Sequence, residues 1–338
     1  MMRRRDSLLG LALPLALAWP ARAAAPTDVV VSVPGPASQL STPLELAVKL
    51  GLDRAEGIAI RFKFVEGGGV ALRDLQTGNA DFTVIGMPAA MYQHLSDPRI
   101  VVLAAHDDLP LYVVMVRNEL RGKVRRIEDL RGRTIGIFSN SLTTKVTSQQ
   151  FLELVLQRRG VKLDEIRLKS IGADWELRLS AMQTGLVDAC MVDAVAAVRL
   201  AEAKVAYPVF NTSVPQDIKN MPGAAFLRGA LIGRRDRVEA DPGKTQQMVR
   251  TLAKVLGWMG AHTPEQVADA LNLRGEERAA FVAVSRKYPR QYSRDGKFSA
   301  MQLRETEAFF RASNPDIAAA QQFGADAMVM DRWAGRKP

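Results

Sequence analysis

Ile60-Arg-Phe-Lys-Phe-Val-Glu-Gly-Gly-Gly69 and Ile166-Arg-Leu-Lys-Ser-Ile-Gly-Ala-Asp174 open two stretches of nearly the same text. Each runs on into Gln-Thr-Gly-x-x-Asp, at Gln76–Asp81 and Gln183–Asp188. The Ile-Arg-x-Lys motifs start 106 positions apart (60 and 166) and the Gln-Thr-Gly motifs 107 (76 and 183), so one inserted residue absorbs the difference. Two copies of one unit imply two similar lobes with a cleft between them, the place ligands prefer. Chance likeness between two common α/β units is the alternative.

The unit has a physical reading. Arg61/Lys63 and Arg167/Lys169 alternate with apolar residues, as in a strand with one wet face. A turn follows, at Glu66–Gly69 and Gly172–Trp175. Then comes a helix with Val70, Leu72 and Leu75, or Leu177, Leu179 and Met182, on its apolar face. Gly78 and Gly185 stand where a helix end demands positive φ. Asp81 and Asp188 lead into short apolar strands, Phe82–Ile85 and Ala189–Val192. Strand–helix–strand predicts parallel pairing with a right-handed crossover.

Outward from the repeat, residues 1–23 read as a signal peptide. Arg3, Arg4 and Arg5 precede the apolar run Leu8–Trp19, too short to span a bilayer, and Ala21-Arg-Ala23 supplies the small residues of a cleavage site. Arg4-Arg5-Asp6-Ser7-Leu8-Leu9 also fits a twin-arginine signal, so the general and the twin-arginine export routes both stay open. Removing four Arg and one Asp lowers the formal charge from +10 to +7. The basic residues are scattered. The densest run, Arg121–Arg126, does not interleave with aromatics, which argues against nucleic acid and for a solvated face. Cys190, the single cysteine, lies in an apolar strand and reads as a small buried hydrophobe. His94, His106 and His262 show no metal spacing. No Gly-x-Ser-x-Gly exists, and Gly67–Gly69 lacks the Gly-Lys-Ser/Thr of a P-loop. Neither a cofactor nor catalytic residues are expected.

The remaining chain divides into lobe 1 (24–117 and 226–338) and lobe 2 (118–225). Asp28–Val33 is a strand; Pro34–Gln39 is a loop; Ser41 or Thr42 caps a helix with Pro43 in its first turn. Ile100–Ala104 and Leu111–Val116 are strands of lobe 1, with the first crossing near 117–122. Thr147–Arg159 is a helix of lobe 2. Ala225–Ile232 is a returning strand, with the second crossing near 222–228. Asp241, Thr263 and Ser299 start C-terminal helices. Asp331–Pro338 reads as a loose tail.

Leu75-Gln-Thr-Gly-Asn-Ala-Asp-Phe82, Asp129-Leu-Arg-Gly-Arg-Thr-Ile-Gly-Ile137 and Gln183-Thr-Gly-Leu-Val-Asp-Ala189 carry a resemblance over roughly residues 28–260. The chain resembles the solute-binding proteins of ABC importers in the NMT1/THI5-like group, which bind sulfonates, taurine, nitrate or thiamine-precursor pyrimidines. The resemblance implies a two-lobed, hinged α/β periplasmic-binding-protein fold of type II and a periplasmic, non-enzymatic protein. It also implies a small-molecule ligand and a membrane permease and ATPase as partners. A monomer is expected. An exported enzyme on the same fold and a sensor presenting its ligand to a membrane receptor are the rivals. The group's usual Gly-aromatic text after the first strand is replaced here by Pro34–Leu40, which leaves the ligand's identity open.

In open α/β sheets ligands meet the carboxyl ends of strands. That rule selects Gln39, Ser41, Gly67, Gly68, Met87, Ser139, Asn140, Ser141, Thr143, Thr144, Asp174, Trp175 and Asp193 as candidate ligand residues. Several of these loops open helices, whose N–H groups favour an anion, and no Arg or Lys occurs in them before Lys145. A small sulfonate- or carboxylate-like anion held by dipoles and hydroxyls is expected, with its body against Trp175 and Met87. The alternatives are helix packing for Trp175, N-capping for the Ser/Thr cluster, and for Asp193 either a helix cap or a partner for a cationic pyrimidine.

Overall fold

The computed structural model describes residues 25–36, 38–137, 145–172 and 174–338. The expected signal peptide lies outside them, as do Ser139, Asn140, Ser141, Thr143 and Thr144.

The first sheet grows from β1 (Thr27–Pro34), α1 (Thr42–Lys49), α2 (Leu52–Ala55), β2 (Ile58–Val65), α3 (Gly68–Thr77), β3 (Phe82–Gly86), α4 (Met87–His94) and β4 (Ile100–Ala105). The second comprises β5 (Tyr112–Arg117), β6 (Thr134–Ile137), α5 (Thr147–Arg158), β7 (Arg167–Ser170), α6 (Trp175–Gln183), β8 (Ala189–Asp193), α7 (Ala194–Glu202) and β9 (Ala206–Asn211). β10 (Gly229–Arg234) returns to the first sheet. It leads into α8 (Arg235–Ala240), α9 (Pro242–Ala261), α10 (Pro264–Ala270), α11 (Gly275–Lys287), α12 (Ala300–Ser313) and α13 (Ala318–Gln322).

The strand orders are β2-β1-β3-β10-β4 and β7-β6-β8-β5-β9. They are one order used twice. In each sheet one antiparallel strand, β10 or β5, arrives from the other lobe and inserts between the third strand and the outer one. β5 therefore corrects the expected boundary at Arg117. It pairs with β8 and β9, so the outward crossing falls between Ala105 and Tyr112. Local sequence dictates a strand over Leu111–Val116, but its sheet is chosen by partners about 75 and 95 residues further on, which local periodicity does not encode. The return falls between Asn211 and Gly229. Ala225–Arg228, expected as strand, belongs to that crossing.

The repeat is explained atom by atom. Asp81 accepts from Val30 N at 2.8 Å and donates its own N–H to Val30 O at 2.9 Å. Asp188 does the same to Thr134, at 3.0 and 2.8 Å. Each Asp thus locks the start of one strand, β3 or β8, to its neighbour in the sheet, β1 or β6. Thr77 and Thr184 bond back to the carbonyls of Arg73 and Ser180. Gly78 and Gly185 have φ of +79° and +71°, the left-handed helix end that glycine adopts without strain. The charged pairs Arg61/Lys63 and Arg167/Lys169 sit on β2 and β7, the two equivalent sheet edges, where charge opposes edge-to-edge aggregation.

Each sheet is packed on both faces. Val29, Val31 and Val33 meet Leu252 and Leu256 of α9, and Ile85 and Ile232 meet Phe310 of α12. Ile135 and Ile137 meet Phe151 and Val155 of α5, and Cys190 and Val192 meet Met182 and Leu200. Cys190 is fully buried, and burial pushes its thiol up to about 12. The C-terminal segment is not loose. Phe298 N donates to Gly335 O, Lys337 N donates to Phe298 O at 2.8 Å, and Trp333 packs on the first core. Its polar composition hid this, because the tail's ties are backbone bonds and Arg336 pairs with Asp326 and Asp331.

The two crossings are tied by Asp107, fully buried, and Arg228. Arg228 Nε donates to Asp107 Oδ2 at 2.8 Å, Nη2 lies 2.7 Å from the same oxygen, and Gly229 N donates to Oδ1 at 2.6 Å.

Two stability predictions result. Asp107→Asn leaves the buried Arg228 charge uncompensated and should cost about 3–5 kcal/mol in urea unfolding. Asp81→Ala and Asp188→Ala each strand a backbone N–H and should cost about 1–3 kcal/mol. Because the two locks lie in different sheets, the double variant should show the sum to within about 0.5 kcal/mol; strong coupling would speak against independent locks.

Candidate functional site

A cavity of about 80 Å³ lies where the carboxyl ends of the two parallel strand sets converge. Its first wall comes from Pro34 at the end of β1, Ser38–Leu40, Gly67–Gly68 at the start of α3, Ile85–Gly86 at the end of β3, Ala89, and Arg228. Its second wall comes from Tyr112, Val146–Ser148 at the start of α5, Arg178 on α6, and Asp193 at the end of β8.

Three helices point their N-termini at this space. α3, α4 and α5 start at Gly67, Gly86 and Val146, none of which offers a side-chain cap. Their dipoles favour negative charge. The first-turn donors of α4 are already answered, since Met87 N donates to Arg228 O at 2.7 Å, Pro88 has no N–H, and Ala89 N donates across the cleft to Thr147 Oγ1 at 3.0 Å. That approach requires Gly86, since a Cβ there would fall 2.0 Å from Thr147 Oγ1. Beside it, Gln150 Nε2 donates to Pro88 O at 3.1 Å, and Gln150 Oε1 accepts from Asn314 Nδ2 at 3.0 Å.

Two arginines reach the cavity. Burial works against the charge of Arg228, but Asp107 holds its guanidinium above the usual range. Burial would likewise raise Asp107, yet Arg228, His106 and the Gly229 N–H together hold its carboxyl below the usual range. Arg178 donates from Nε to Gly172 O at 3.3 Å, and burial lowers its guanidinium despite the nearby Asp193. Burial also pushes the Tyr112 hydroxyl up to about 12, so it stays a neutral phenol. The formal charges of Arg178, Arg228, Asp107 and Asp193 balance. The sign of the site is then set by the helix ends. Gln39, only 6% exposed, has no acceptor for its Nε2 among the described residues. A buried donor without a partner is costly unless something else satisfies it.

Of the expected residues, Gln39, Gly67, Gly68 and Asp193 line the cavity. Asp193 also caps α7, accepting from Ala196 N at 2.9 Å. Ser41 lies behind the wall, bonded to Ser38. Met87 is fully buried in the core below α4. Asp174 caps α6 through Glu176 N and Leu177 N. Trp175 does not line the cavity, and its ring carries Arg199, whose Cζ stands 3.7 Å from the centroid. Trp175 and Met87 are therefore corrected as contacts for a ligand's body. The expectation of a site without cationic side chains is corrected too. It read only the loops, whereas Arg178 comes from the first turn of α6, whose side chains lean back toward the helix N-terminus, and Arg228 from a crossing. The supposed apolar face of α6 is also rotated. Arg178, Ala181 and Met182 are buried, and Leu177 is 60% exposed. One signal was available: Arg228 directly precedes the buried run Gly229–Gly233.

The comparisons with known proteins agree with this geometry. No curated protein matches the chain in sequence. Among solved structures it is similar to a protein of Bordetella bronchiseptica RB50 (19% identity, 91% of this chain and 96% of that one, TM-score 0.81). It is also similar to the alkanesulfonate-binding protein SsuA from Xanthomonas axonopodis pv. citri bound to MOPS (18%, 86% and 95%, 0.66). A third is the periplasmic nitrate-binding protein NrtA from Synechocystis PCC 6803 (13%, 75% and 69%, 0.59). At these identities the likeness establishes the fold, the two-lobed α/β architecture of periplasmic binding proteins. The NMT1/THI5-like family model matches residues 39–266, about two thirds of the chain. With the repeated lobes, the shared strand order and that match, the chain belongs to the NMT1/THI5-like family.

Proposed function

We propose that this protein is the periplasmic substrate-binding component of an ABC importer, which captures a small sulfonate- or carboxylate-like anion by closing its lobes. The observation that carries the reading is the convergence of the N-termini of α3, α4 and α5 with Arg178 and Arg228 on one cavity built from both lobes. Charge-assisted hydrogen bonds of this kind are the strong ones. The structural neighbours described as alkanesulfonate- and nitrate-binding support the same class.

Asp193, which lines the cavity, already caps α7 through Ala196 N, and Asp107 is held by the cavity-lining Arg228 and by Gly229 N. The proposed activity is binding without turnover. No helix among the described residues is long and apolar enough to cross a membrane. The proposed partners are a permease and an ATPase, and the proposed route is export with cleavage near Ala23.

A thermal-shift screen of short sulfonates, carboxylates, nitrate and pyrimidines tests the class. A ligand at a hundred times its Kd should stabilise the protein by about 2.7 kcal/mol. If nothing raises the melting temperature while a compound is consumed, the protein is an enzyme. Titration of two variants then fixes the sign of the ligand. Asp193→Asn keeps the α7 cap, because Asn caps as well as Asp. It should leave an anion's affinity intact or improve it, whereas a cationic pyrimidine would lose about 2–5 kcal/mol. Arg178→Gln should weaken an anion by about 1.5–3 kcal/mol.

A further inference from the structure

Six large apolar side chains stand exposed among the described residues, and three of them converge. Phe64 (44% exposed), Leu177 (60%) and Leu186 (47%) line a single open groove of about 470 Å³, several times the inner cavity. Scattered apolar residues on a surface need no explanation, but a contiguous set marks a binding surface.

The groove belongs to both lobes. Phe64 and Val65 end β2, Ser170 ends β7, and these are the equivalent edge strands of the two sheets. Its walls continue those of the inner cavity. Gly35 borders the groove and Pro34 the cavity; Glu66 the groove and Gly67 the cavity; Leu177 the groove and Arg178 the cavity. Three chain segments therefore run from the groove directly into the cavity, and at Leu177–Arg178 the step is from an apolar to a charged side chain; Glu66 and Asp174 stand on the groove beside its apolar residues. The rotation of α6 makes that step possible, turning Arg178 inward and leaving Leu177 on the groove. Phe64 is braced for contact, its ring stacked on Phe62 at 5.3 Å.

We propose that this groove receives the apolar tail of the anion whose head occupies the inner cavity. The ligand is then an amphiphilic monoanion with an extended alkyl or aryl tail, larger than the small anion expected from sequence. This rests on the anion-binding reading above. Phe64, Leu177 and Leu186 act as specificity determinants that measure tail length, while Arg178 stands at the junction of head and tail.

The test is isothermal titration of the mature protein with straight-chain alkanesulfonates from ethane- to octanesulfonate, and with the matching alkanoates. Affinity should rise about fourfold per methylene while the tail lies in the groove. Leu177→Ser and Leu186→Ser change exposed positions and should leave the melting temperature unchanged. They should flatten that rise without altering the affinity of the shortest homologue. If ethanesulfonate binds well but lengthening it gains nothing, the inner site stands, the tail inference falls, and the groove is left to a protein partner. A length dependence identical in both variants overturns it as well, by placing the tail elsewhere. If no member of either series binds, the anion reading fails and this inference with it.

Discussion

The buried pair of Asp107 and Arg228 is the constraint on which the rest of this architecture depends. Asp107 stands just beyond β4, where the chain leaves the first sheet, and Arg228 just before β10, where it returns. One ion pair therefore joins the two crossings. The Gly229 N–H completes it, and His106 N in turn donates to Gly229 O at 3.0 Å. At the far side of the same passage Tyr112 N donates to Thr212 Oγ1 at 2.9 Å. A buried ion pair is not a cheap source of stability, since desolvation offsets most of its attraction. Its worth here is positional. It fixes where the lobes join and holds a guanidinium at the wall of the cavity.

Around that join the packing is aromatic. Phe226 of the return crossing stacks on Phe309 of α12 with centroids 4.1 Å apart, and Phe151 of α5 lies 6.2 Å from both. α12, though far along the chain, thereby buttresses both lobes. On the opposite flank α11 packs on α7 through Val284 and Ala194. Between these supports the lobes meet at the cleft itself, where Thr147 presses on Gly86. A glycine with ordinary φ is needed there only because another lobe approaches it.

The repeat made the fold readable. Every element of the two units has a counterpart in space: edge strand, helix, glycine helix end, and the Asp that locks the next strand. Those features are local, so they survive in the text. β5 was readable as a strand but not as a member of the second sheet, because pairing with β8 and β9 is a choice between distant partners. The site was readable to the extent that it is made of strand ends. Gln39, Gly67, Gly68 and Asp193 follow from that rule. Arg178, Arg228, Thr147 and Tyr112 do not, since each reaches the cavity from a helix turn, a crossing or a strand start.

The amino-acid sequence by itself determined the two α/β units, their helix caps and turns, and the burial of the valine-rich strands and of Cys190. All of these rest on residue preference and periodicity over a few positions. Tertiary structure alone decided which sheet receives β5 and which face of α6 turns inward, since the helix Trp175–Gln183 carries no clean apolar stripe. It alone brought Asp107 to Arg228 across 121 positions. The physical reason is common to these cases. Electrostatic pairing and close packing act through space between residues remote in the chain, and no local pattern records a partner that folding has yet to supply.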